Sequence, residues 1–368
     1  PLRLKMGFDP SSSDIHLGHA VGLKKLRQLQ DIGHKCILII GDWTARIGDP
    51  TGVSATRKML TQEEVESNAK TYLEQFFKIV DIDQTEVVYQ SEWYGDFKLE
   101  NVIELTSKFT VAQFLAREDF NKRYKQGKPI AITEFLYPLL QAYDSVAINS
   151  DVEFGGTDQK FNLLVGRELQ SMNGMKPQQC LMVPLLVGTD GINKMSKSLN
   201  NYIGITDKPA DIYGKVMSIP DSLIMNYLEV LSNFNNNEIE EMKKAMSLGN
   251  ENPMIFKKEL AKDIVTQFYT IQDAIDSELN FKMVVQGNEI PENLENHNLN
   301  EMINSKLSNI LVKTSMAKSN SEAKRLINQG AIELNGVKLT EDAEMNSLKD
   351  GDIFKIGKQK FFQVSQNA

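Results

Sequence analysis

The sequence predicts an α/β fold, with a parallel sheet in the first half of the chain, an α-helical region after it, and a small α+β tail. Short apolar runs alternate with amphipathic segments in the first half, helical periodicity continues through residues 211–279, and Asn335-Gly336 marks a hairpin in the tail. Strand–helix–strand alternation favours right-handed crossovers between parallel strands. Ligands then bind at the carboxyl ends of these strands.

The elements of the first half follow from the apolar pattern and from capping residues. Buried strands are expected at residues 2–8, 35–40, 86–90 and 181–187. A helix is expected over residues 14–30, with Asp14 as its N-cap, because apolar side chains recur there with helical spacing. A second helix is expected over residues 61–80, where Thr61 and Glu64 form a capping box.

Composition divides the chain into four expected segments. They are a sheet domain over residues 1–210, a helical domain over 211–285, a linker rich in Asn and Glu over 286–304, and the tail over 305–368. The tail is expected to hold a basic helix over residues 321–329, capped by Ser321 and ended by Gly330. A second hairpin is expected over residues 352–364, with its turn at Gly357.

Composition and charge exclude several classes of protein. The 368 residues are 41% hydrophobic and 24% charged, which is the balance of a globular protein. No apolar run is long enough for a membrane span, and two cysteines, Cys36 and Cys180, imply no disulfide framework, so we expect a cytoplasmic protein. The net charge is −8, but residues 305–368 carry 10 basic and 7 acidic side chains, which suggests that the tail contacts a polyanion.

Two histidines stand at the expected start of the first helix. His16 and His19 are three residues apart and share a face, and Gly18 between them leaves the backbone open to a large group. A helix N-terminus offers free N–H groups and a positive dipole end, and imidazoles add donors where negative charge develops. The pattern therefore suits a phosphate site, although a surface pair beside a cap or a metal pair would show the same spacing.

A second signature, Lys194-Met195-Ser196-Lys197-Ser198, follows the apolar run at residues 181–187. Lysines on a loop can close over a triphosphate and neutralise charge on the leaving pyrophosphate. Together the two signatures resemble those of class I aminoacyl-tRNA synthetases, whose catalytic domain is Rossmann-like. The resemblance implies a set of catalytic residues, namely His16, His19, Lys194, Lys197 and Ser198.

Three further segments resemble those of bacterial tyrosyl-tRNA synthetases, and the likeness runs through nearly the whole chain. The segments are Gly48-Asp49-Pro50-Thr51-Gly52, Tyr137-Pro138-Leu139-Leu140-Gln141-Ala142-Tyr143-Asp144 and Phe154-Gly155-Gly156-Thr157-Asp158-Gln159. In the second of them, Tyr137, Gln141 and Asp144 share one side of a helix.

The resemblance implies a tyrosine site. Asp49, Tyr137 and Gln141 would hold the α-ammonium group. Asp144 would accept the phenolic hydroxyl, and Gln159 would support the amino acid. From the residues alone, Asp144 could instead be a helix-surface carboxylate, and Tyr137 a core residue.

The same resemblance implies an ATP site. Gly156 and Asp158 would meet the ribose, Gly7 and Asp9 would line the nucleotide side, and the backbone of Leu186 and Val187 would meet adenine. The phosphate side would be formed by His16, Gly18, His19, Lys194 and Lys197. Mg²⁺ would accompany ATP, and no tightly bound protein metal is expected, since the sequence shows no carboxylate cluster.

Three positions depart from the pattern of the better-known bacterial enzymes. Lys5 and Met6 stand where those enzymes have Tyr and Cys, and Glu153 stands where Gln is commoner. These departures resemble the second bacterial branch of the family. Since the missing tyrosine shares the phenol with the aspartate, Asp144 is expected to carry more of the recognition here.

The tail resembles an S4-type RNA-binding domain, with a basic helix, Gly330, and then Ile332-Glu333-Leu334-Asn335-Gly336. The resemblance implies that Lys318, Lys324 and Arg325 contact phosphate oxygens, which position RNA without reading its sequence. The implied partners are tRNA(Tyr), L-tyrosine, ATP and a second copy of the chain, with the dimer interface near residues 130–143. No membrane partner is expected.

The expected activity is ATP-dependent ligation of tyrosine to tRNA through a tyrosyl-adenylate. Three alternatives remain: a tryptophanyl-tRNA synthetase, an RNA-binding protein with an inactive synthetase body, and a nucleotidyltransferase of small metabolites. The tail and residues 137–144 disfavour the first, and the intact histidines and lysines disfavour the second. The third would have no use for the tail.

Overall fold

A computed structural model describes residues 1–10, 14–50, 61–249, 251–283, 294–357 and 360–366. The chain divides into two compact units, Pro1–Thr270 and Ile271–Ala368. Thr51 and Gly52 of the first family segment lie outside the described residues, as do residues 286–293 of the segment expected to be a linker.

The first unit is built on a parallel sheet. Its strands are β1 (Arg3–Phe8), β2 (Lys35–Ile40), β3 (Thr85–Tyr89), β4 (Val152–Gly156) and β5 (Gln179–Val183). They pair in parallel in the order β3-β2-β1-β4-β5. β2 is buried from Cys36 to Ile40, as expected for a strand covered on both faces. Because the chain runs outward from β1 on one side and then returns to its other side, the topological switch point lies between β1 and β4.

Helices connect and cover these strands. Between β1 and β4 they are α1 (Leu17–Gln30), α2 (Thr44–Ile47), α3 (Gln62–Phe76), α4 (Ser91–Tyr94), α5 (Leu99–Ser107), α6 (Val111–Leu115), α7 (Glu118–Lys125) and α8 (Ile132–Ala147). After β4 they are α9 (Lys160–Met172), α10 (Pro209–Met217), α11 (Ile224–Leu231), α12 (Asn236–Ser247) and α13 (Pro253–Phe268). α8 and α9 share an apolar cluster that includes Leu139, Ala142 and Leu169.

Three predictions for the first unit are wrong in their boundaries. Asp14 is not the N-cap of α1, which His16 caps; Asp14 instead lies 3.7 Å from the Lys197 ammonium group. The second helix begins after Thr61 as predicted but ends at Phe76, because the Phe76 carbonyl oxygen accepts from the N–H groups of both Ile79 and Val80 in a tight turn. The strand expected at residues 181–187 ends at Val183, since Pro184 has no N–H for the ladder.

The second unit combines helices with a mixed sheet. Its elements are α14 (Ile271–Phe281), β6 (Glu295–Asn298), α15 (Leu307–Lys313), α16 (Asn320–Asn328), β7 (Ile332–Leu334), β8 (Val337–Leu339), β9 (Ile353–Ile356) and β10 (Lys360–Ser365). The strand order is β6-β10-β9-β7-β8, and β6 is parallel to β10 while the other pairs are antiparallel. The Phe354 and Phe362 rings stack at 4.7 Å in its core.

Both hairpins of the tail form, but two other expectations fail. Asn335 and Gly336 have φ of 50° and 82°, as a tight hairpin turn between β7 and β8 requires. The basic helix is capped by Ser319, which accepts from the Glu322 N–H, and not by Ser321. Of the segment expected to be a linker, residues 286–293 lie outside the described residues. Glu295–Asn298 is a strand, because it finds a partner in β10.

Candidate active site

A cavity of about 760 Å³ opens at the carboxyl edge of the sheet, at the switch point between β1 and β4. Residues 137–159 approach it from α8, β4 and the turn that follows β4. The predicted residues that line it are Gly7, Asp9, His16, Gly18, His19, Asp49, Tyr137, Gln141, Asp144, Gly156, Asp158, Gln159, Leu186, Lys194, Lys197 and Ser198. The fold therefore brings together segments that are far apart in sequence.

Asp144 lies on α8 at the cavity wall and is 2% exposed. Its Oδ2 accepts a hydrogen bond from Gln90 Nε2 at 2.8 Å, and its Oδ1 accepts from Trp93 Nε1 at 3.1 Å. Burial raises the pKa of this carboxyl group to about 7, although the charge of Lys5 and the two hydrogen bonds act in the opposite direction. It is thus a buried carboxylate, and not the helix-surface group that remained an alternative.

A second set of polar side chains lines the same cavity. The Tyr137 hydroxyl donates to Asp9 Oδ2 at 2.7 Å, and Thr44 Oγ1 donates to Asp9 Oδ1 at 2.6 Å. Gln159 Nε2 donates to Asp49 Oδ2 at 2.5 Å. Burial and the neighbouring carboxylates raise the pKa of Tyr137, so this phenol stays protonated and remains a donor. The carboxylates of Asp9 and Asp49 therefore make this part of the cavity rich in acceptor oxygens, which suits a cationic ligand group.

The imidazoles of His16 and His19 are stacked at the N-terminus of α1, with ring centroids 3.9 Å apart. Burial, each other's proximity and nearby lysines lower the pKa of His16 to about 2, while burial and the lysines lower the pKa of His19 to about 4. Both rings are therefore neutral at pH 7. The His16 backbone N–H donates to His19 Nδ1 at 3.3 Å, which leaves the ring proton of His19 on Nε2 as a donor.

The absence of a side chain at Gly18 matters for this histidine pair. A Cβ at Gly18 would lie 3.0 Å from the His16 ring, which is tighter than ordinary packing. The glycine therefore allows the imidazole to fold back over the first turn of α1.

The segment Lys194–Ser198, called the lysine loop below, lines the cavity close to the histidines, since a Cβ at Gly18 would lie 3.7 Å from Met195 Cβ. Lys194 Nζ lies 2.9 Å from Asp158 Oδ2, and the hydroxyl oxygens of Ser196 and Ser198 are 2.9 Å apart. Asn201 holds the loop from behind, since its Oδ1 accepts from the Ser196 N–H at 2.8 Å and its Nδ2 donates to the Lys194 carbonyl oxygen at 3.1 Å.

Some predicted site residues do not line the cavity. Val187 lies beyond the lining residues, where its carbonyl oxygen accepts from the Tyr227 hydroxyl at 2.6 Å. Lys318, Lys324 and Arg325 belong to the second unit, where all three side chains are exposed around the start of α16.

Lys5 also lies away from the cavity, although its position suggested a phenol contact. It is fully buried, and its ammonium group is 2.8 Å from Glu153 Oε1. The two departures from the commoner family pattern, Lys5 and Glu153, are thus partners in one ion pair.

Sequence reasoning missed several residues that shape the site. Gln90 follows β3 directly, lines the cavity and links Asp144 to Thr44, whose N–H it accepts at 3.0 Å. Its place after a parallel strand was a usable signal. Trp93 and Asn162 carried no such signal, because their partners lie 51 and 21 residues away in the chain.

No group of three or more potential metal ligands occurs among the residues that the structure describes. In the same residues, no helix has both the length and the apolar character needed to cross a membrane. Both cysteines are free thiols, Cys36 buried and Cys180 partly so.

The fold and this site define a class I aminoacyl-tRNA synthetase. The family model described as tRNA synthetases class I (W and Y) matches residues 1–286, and the model of a tyrosine–tRNA ligase SYY-like C-terminal domain matches residues 288–364. The tyrosine–tRNA ligase of Dehalococcoides mccartyi strain CBDB1 is 60% identical over 360 residues, or 98% of this chain and 90% of the relative. The tyrosine–tRNA ligase of Carboxydothermus hydrogenoformans is 49% identical over 369 residues, which cover 99% of this chain and 90% of the relative.

The chain therefore belongs to the tyrosine–tRNA ligases. Solved tyrosyl-tRNA synthetases share the fold. The one from Archaeoglobus fulgidus, crystallised with L-tyrosine, superposes with a TM-score of 0.60 at 24% identity, covering 75% of this chain and 90% of that one. The tyrosyl-tRNA synthetase from Aeropyrum pernix superposes with a TM-score of 0.60 at 18% identity, covering 78% of this chain and 89% of that one. The tryptophanyl alternative and the inactive RNA-binding alternative are not favoured.

Proposed function

We propose that the cavity binds L-tyrosine with its phenol against Asp144 and its α-ammonium group against Asp49, Tyr137 and Gln141. The observation that carries this proposal is the burial of the Asp144 carboxylate at the cavity wall, with Gln90 and Trp93 donating to it. A buried carboxylate favours a ligand that brings a hydroxyl donor, and tyrosine differs from phenylalanine by that group alone. Gln159 supports the amino acid by orienting Asp49.

ATP is proposed to lie along the same edge of the sheet. Gly156 and Asp158 would meet the ribose, and a Cβ at Gly156 would lie 2.7 Å from the Asp158 carboxylate. Gly7, where an added Cβ would meet only open space, and Asp9 would line the nucleotide side. The backbone of Leu186 would meet adenine, with Val187 next to it. Mg²⁺ would arrive with ATP as part of the substrate.

The chemistry then needs positioning and charge stabilisation more than proton transfer. A tyrosine carboxylate oxygen attacks the α-phosphorus, a new O–P bond forms, and the bond to the bridging oxygen breaks so that pyrophosphate leaves with the electron pair. Neutral His16 and His19 donate to the reacting phosphate at the N-terminus of α1. Lys194 and Lys197 stabilise the leaving pyrophosphate, and Ser198 helps to hold the loop.

In the second step, a hydroxyl of the terminal ribose of tRNA(Tyr) attacks the tyrosyl carbonyl carbon. The ester bond forms, the bond to the adenylate oxygen breaks, and AMP leaves while the hydroxyl proton passes to solvent. In the second unit, Lys318, Lys324 and Arg325 would contact the tRNA backbone. All three side chains are exposed in one small region, which supports this role.

A homodimer is also proposed, with an interface near residues 130–143. Apolar side chains are exposed on α5, α6 and α8, where Leu99 is 73%, Val111 62% and Ile132 79% exposed. Such a surface favours association with another copy. The cytoplasm, where tRNA is charged for translation, is the proposed compartment.

The tyrosine site can be tested with Asp144→Asn. Loss of a charged, buried acceptor should raise the KM for tyrosine roughly tenfold or more in ATP–pyrophosphate exchange, whereas the KM for ATP should not change. Activation of phenylalanine, which has no hydroxyl to present, should be retained. Glu168→Gln, an exposed carboxylate on α9, serves as the control. An unchanged KM for tyrosine in the Asp144→Asn variant would mean that the phenol does not bind against Asp144.

A further inference from the structure

A continuous chain of hydrogen-bonded polar side chains, buried at both ends, runs behind the proposed ammonium site. It begins at Glu153 on β4, passes through the amides of Gln141, Asn162 and Gln159, and reaches Arg117 just before α7. Glu153 is 1% exposed, Asn162 is fully buried, and Arg117 is 8% exposed. The three amides are called the amide relay below.

One end of the amide relay is a group that can only accept hydrogen bonds. Glu153 Oε1 accepts from Lys5 Nζ at 2.8 Å and from Gln141 Nε2 at 3.1 Å. Its Oε2 accepts from Gln178 Nε2 at 2.5 Å and from Ser145 Oγ at 3.2 Å. Because the carboxylate offers no donor, Gln141 must present its nitrogen to Glu153, and its oxygen points the other way.

Lys5 fixes the direction of these bonds. Its ammonium group also donates to Ser145 Oγ and to the Gln141 carbonyl oxygen, both at 2.7 Å. Since Ser145 Oγ accepts from Lys5, its own proton is directed at Glu153. The Lys5 ammonium group is thus the ion-pair partner of the Glu153 carboxylate, and each of the four groups that contact the carboxylate oxygens is a donor.

The other end of the amide relay is a group that can only donate. Arg117 NH1 donates to Asn162 Oδ1 at 3.3 Å. Asn162 Nδ2 therefore donates onward, to Gln141 Oε1 at 3.0 Å and to Gln159 Oε1 at 3.1 Å. Gln159 in turn uses its nitrogen for Asp49 Oδ2.

The two end groups therefore dictate one orientation for all three amides. Turning over any one amide would oppose two donors or two acceptors at a buried or partly buried contact, which is costly. In the dictated orientation, Gln141, Gln159 and Asp49, all of which line the cavity, turn acceptor oxygens toward Asn162 and Gln159 and form one acceptor-rich part of its wall.

We propose that Glu153 and Arg117 are positioning residues that set the polarity of the amide relay, and that this polarity selects substrates carrying a cationic α-amino group. The inference rests on the proposed placement of the α-ammonium group beside Asp49 and Gln141. Lys5 acts in the same system as the ion-pair partner of Glu153. The joint departure of Lys5 and Glu153 from the commoner pattern then has a physical reason, since neither charge is tolerated in the core without the other.

The test compares two phenols that differ only in the amino group. Tyramine carries an ammonium group and 4-ethylphenol does not, and both lack the carboxylate. Their dissociation constants are measured by calorimetry with the full chain, and the ratio of the two affinities reports recognition of the ammonium group alone. The variant is Lys5→Met/Glu153→Gln, which removes the ion pair without leaving a buried charge. The amide that it introduces on β4 can accept or donate, so it no longer dictates the orientation of Gln141.

We expect the preference for tyramine over 4-ethylphenol to fall roughly tenfold in this variant, because a charged contact contributes on this scale. Binding of 4-ethylphenol should be retained, whereas a merely structural defect would weaken both ligands alike. The KM for tyrosine should rise with little change in kcat. Lys257→Met/Asp221→Asn is the matched control: it removes a 2.6 Å ion pair between α13 and the residues just before α11, and neither side chain lines the cavity. The preference for tyramine over 4-ethylphenol should not change in this control variant.

An unchanged tyramine preference in Lys5→Met/Glu153→Gln would overturn the inference, and so would equal weakening of both ligands. Asp49→Asn separates this failure from failure of the proposed site. If Asp49→Asn lowers the tyramine preference while the double variant does not, only the role of Glu153 is wrong. If neither variant lowers the preference, the α-ammonium group lies elsewhere, and both proposals fail.

Discussion

At the scale of single residues, Asp144 is the group for which burial and ligand recognition oppose each other. Its carboxyl group has a pKa of about 7 because it is removed from water, with Lys5, Gln90 and Trp93 only partly offsetting this cost. The ionised form is the acceptor that a phenol hydroxyl needs. A ligand hydroxyl that donates to this carboxylate would therefore add to the hydrogen bonds from Gln90 and Trp93, and a ligand without the hydroxyl would not.

This pKa predicts the pH dependence of tyrosine activation. The carboxyl group is ionised above pH 7 and protonated below it, so kcat/KM for tyrosine should be level above about pH 7 and fall as the pH decreases, approaching tenfold per pH unit. His16 and His19 do not add to this limb, since their pKa values of about 2 and 4 lie well below it. Pyrophosphate exchange between pH 5.5 and 8 measures this dependence of kcat/KM on pH. If kcat/KM of the Asp144→Asn variant still fell at low pH, the titrating group would be another residue.

The neutral histidines are a second feature at the residue scale. A cationic imidazole would bind phosphate in the ground state as well as in the transition state, which would not accelerate the reaction. Neutral donors at the end of a helix can instead be aimed at charge as it develops. Burial of the stacked pair, together with the nearby lysines, therefore keeps both rings in the form that this role requires.

At the scale of elements, the lysine loop is held by contacts that ATP would have to replace. Lys194 pairs with Asp158, the residue proposed to meet the ribose, and Lys197 lies near Asp14. Nucleotide binding would thus exchange ion pairs within the protein for contacts to phosphate and ribose. The loop is positioned by Asn201 but is not buried by it.

Lys197→Ala should slow adenylate formation by about a hundredfold, since the ammonium group that it removes acts mainly on the transition state. The KM for tyrosine should change little, because this side chain lies on the phosphate side of the cavity. Single-turnover formation of tyrosyl-adenylate is the measurement. Lys70→Ala, at an exposed position of α3, is the control. If the variant formed adenylate at the normal rate, loop closure would not contribute to the first step.

The turn between β7 and β8 gives a stability prediction at the same scale. Gly336 has φ of 82°, where an L side chain is strained, so Gly336→Ala should destabilise this hairpin by about 1 kcal/mol or more. Gly214 in α10 offers the opposite case, because a Cβ there would meet nothing within 4 Å. Gly214→Ala should stabilise its helix by about 0.5–1 kcal/mol.

Hydrogen exchange of the backbone amides in β7, β8 and α10 would measure both effects locally. Faster exchange in β7 and β8 is expected from the first change, and slower exchange in α10 from the second. Unaltered exchange of β7 and β8 in Gly336→Ala would mean that the turn relaxes to another type without cost.

At the scale of the whole molecule, the proposed chemistry and the proposed RNA contact fall in different units. The proposed tyrosine and ATP residues belong to Pro1–Thr270, and the exposed basic residues of α16 and its start belong to Ile271–Ala368. The second unit has its own apolar core, which includes Leu307, Ile332 and Phe354. Substitutions of these basic residues in the second unit should therefore affect tRNA binding and leave tyrosine activation intact.

The triple substitution Lys318→Ala/Lys324→Ala/Arg325→Ala should weaken tRNA binding and leave pyrophosphate exchange unaltered. Removal of each phosphate-binding side chain should reduce the slope of log affinity against log salt by about one. Filter binding over a range of salt concentrations, alongside exchange assays, measures both. Lys257→Ala, on α13 of the first unit, is the control. A salt slope equal to that of the unaltered chain would place the RNA contacts on other residues.

The sequence alone determined the features that a few neighbouring residues encode. The buried strand at Lys35–Ile40, the Thr61 and Glu64 capping box and the Asn335-Gly336 hairpin all formed as predicted. Apolar period, capping and turn residues act over short range, so their signals are complete within a segment. The two ATP signatures were likewise legible, because each is a continuous string of residues.

The tertiary structure decided what the ends of elements and the partners of side chains would be. His16 replaced Asp14 as the cap of α1, and β5 stopped short at Pro184. The contacts that define the site join residues far apart in the chain, as the bond between Tyr137 and Asp9 does across 128 positions. Lys5 looked like a pocket residue from its place in the sequence, but its buried ion pair with Glu153 turns it away. Such pairings depend on which charges the folded core brings together, and no local pattern encodes them.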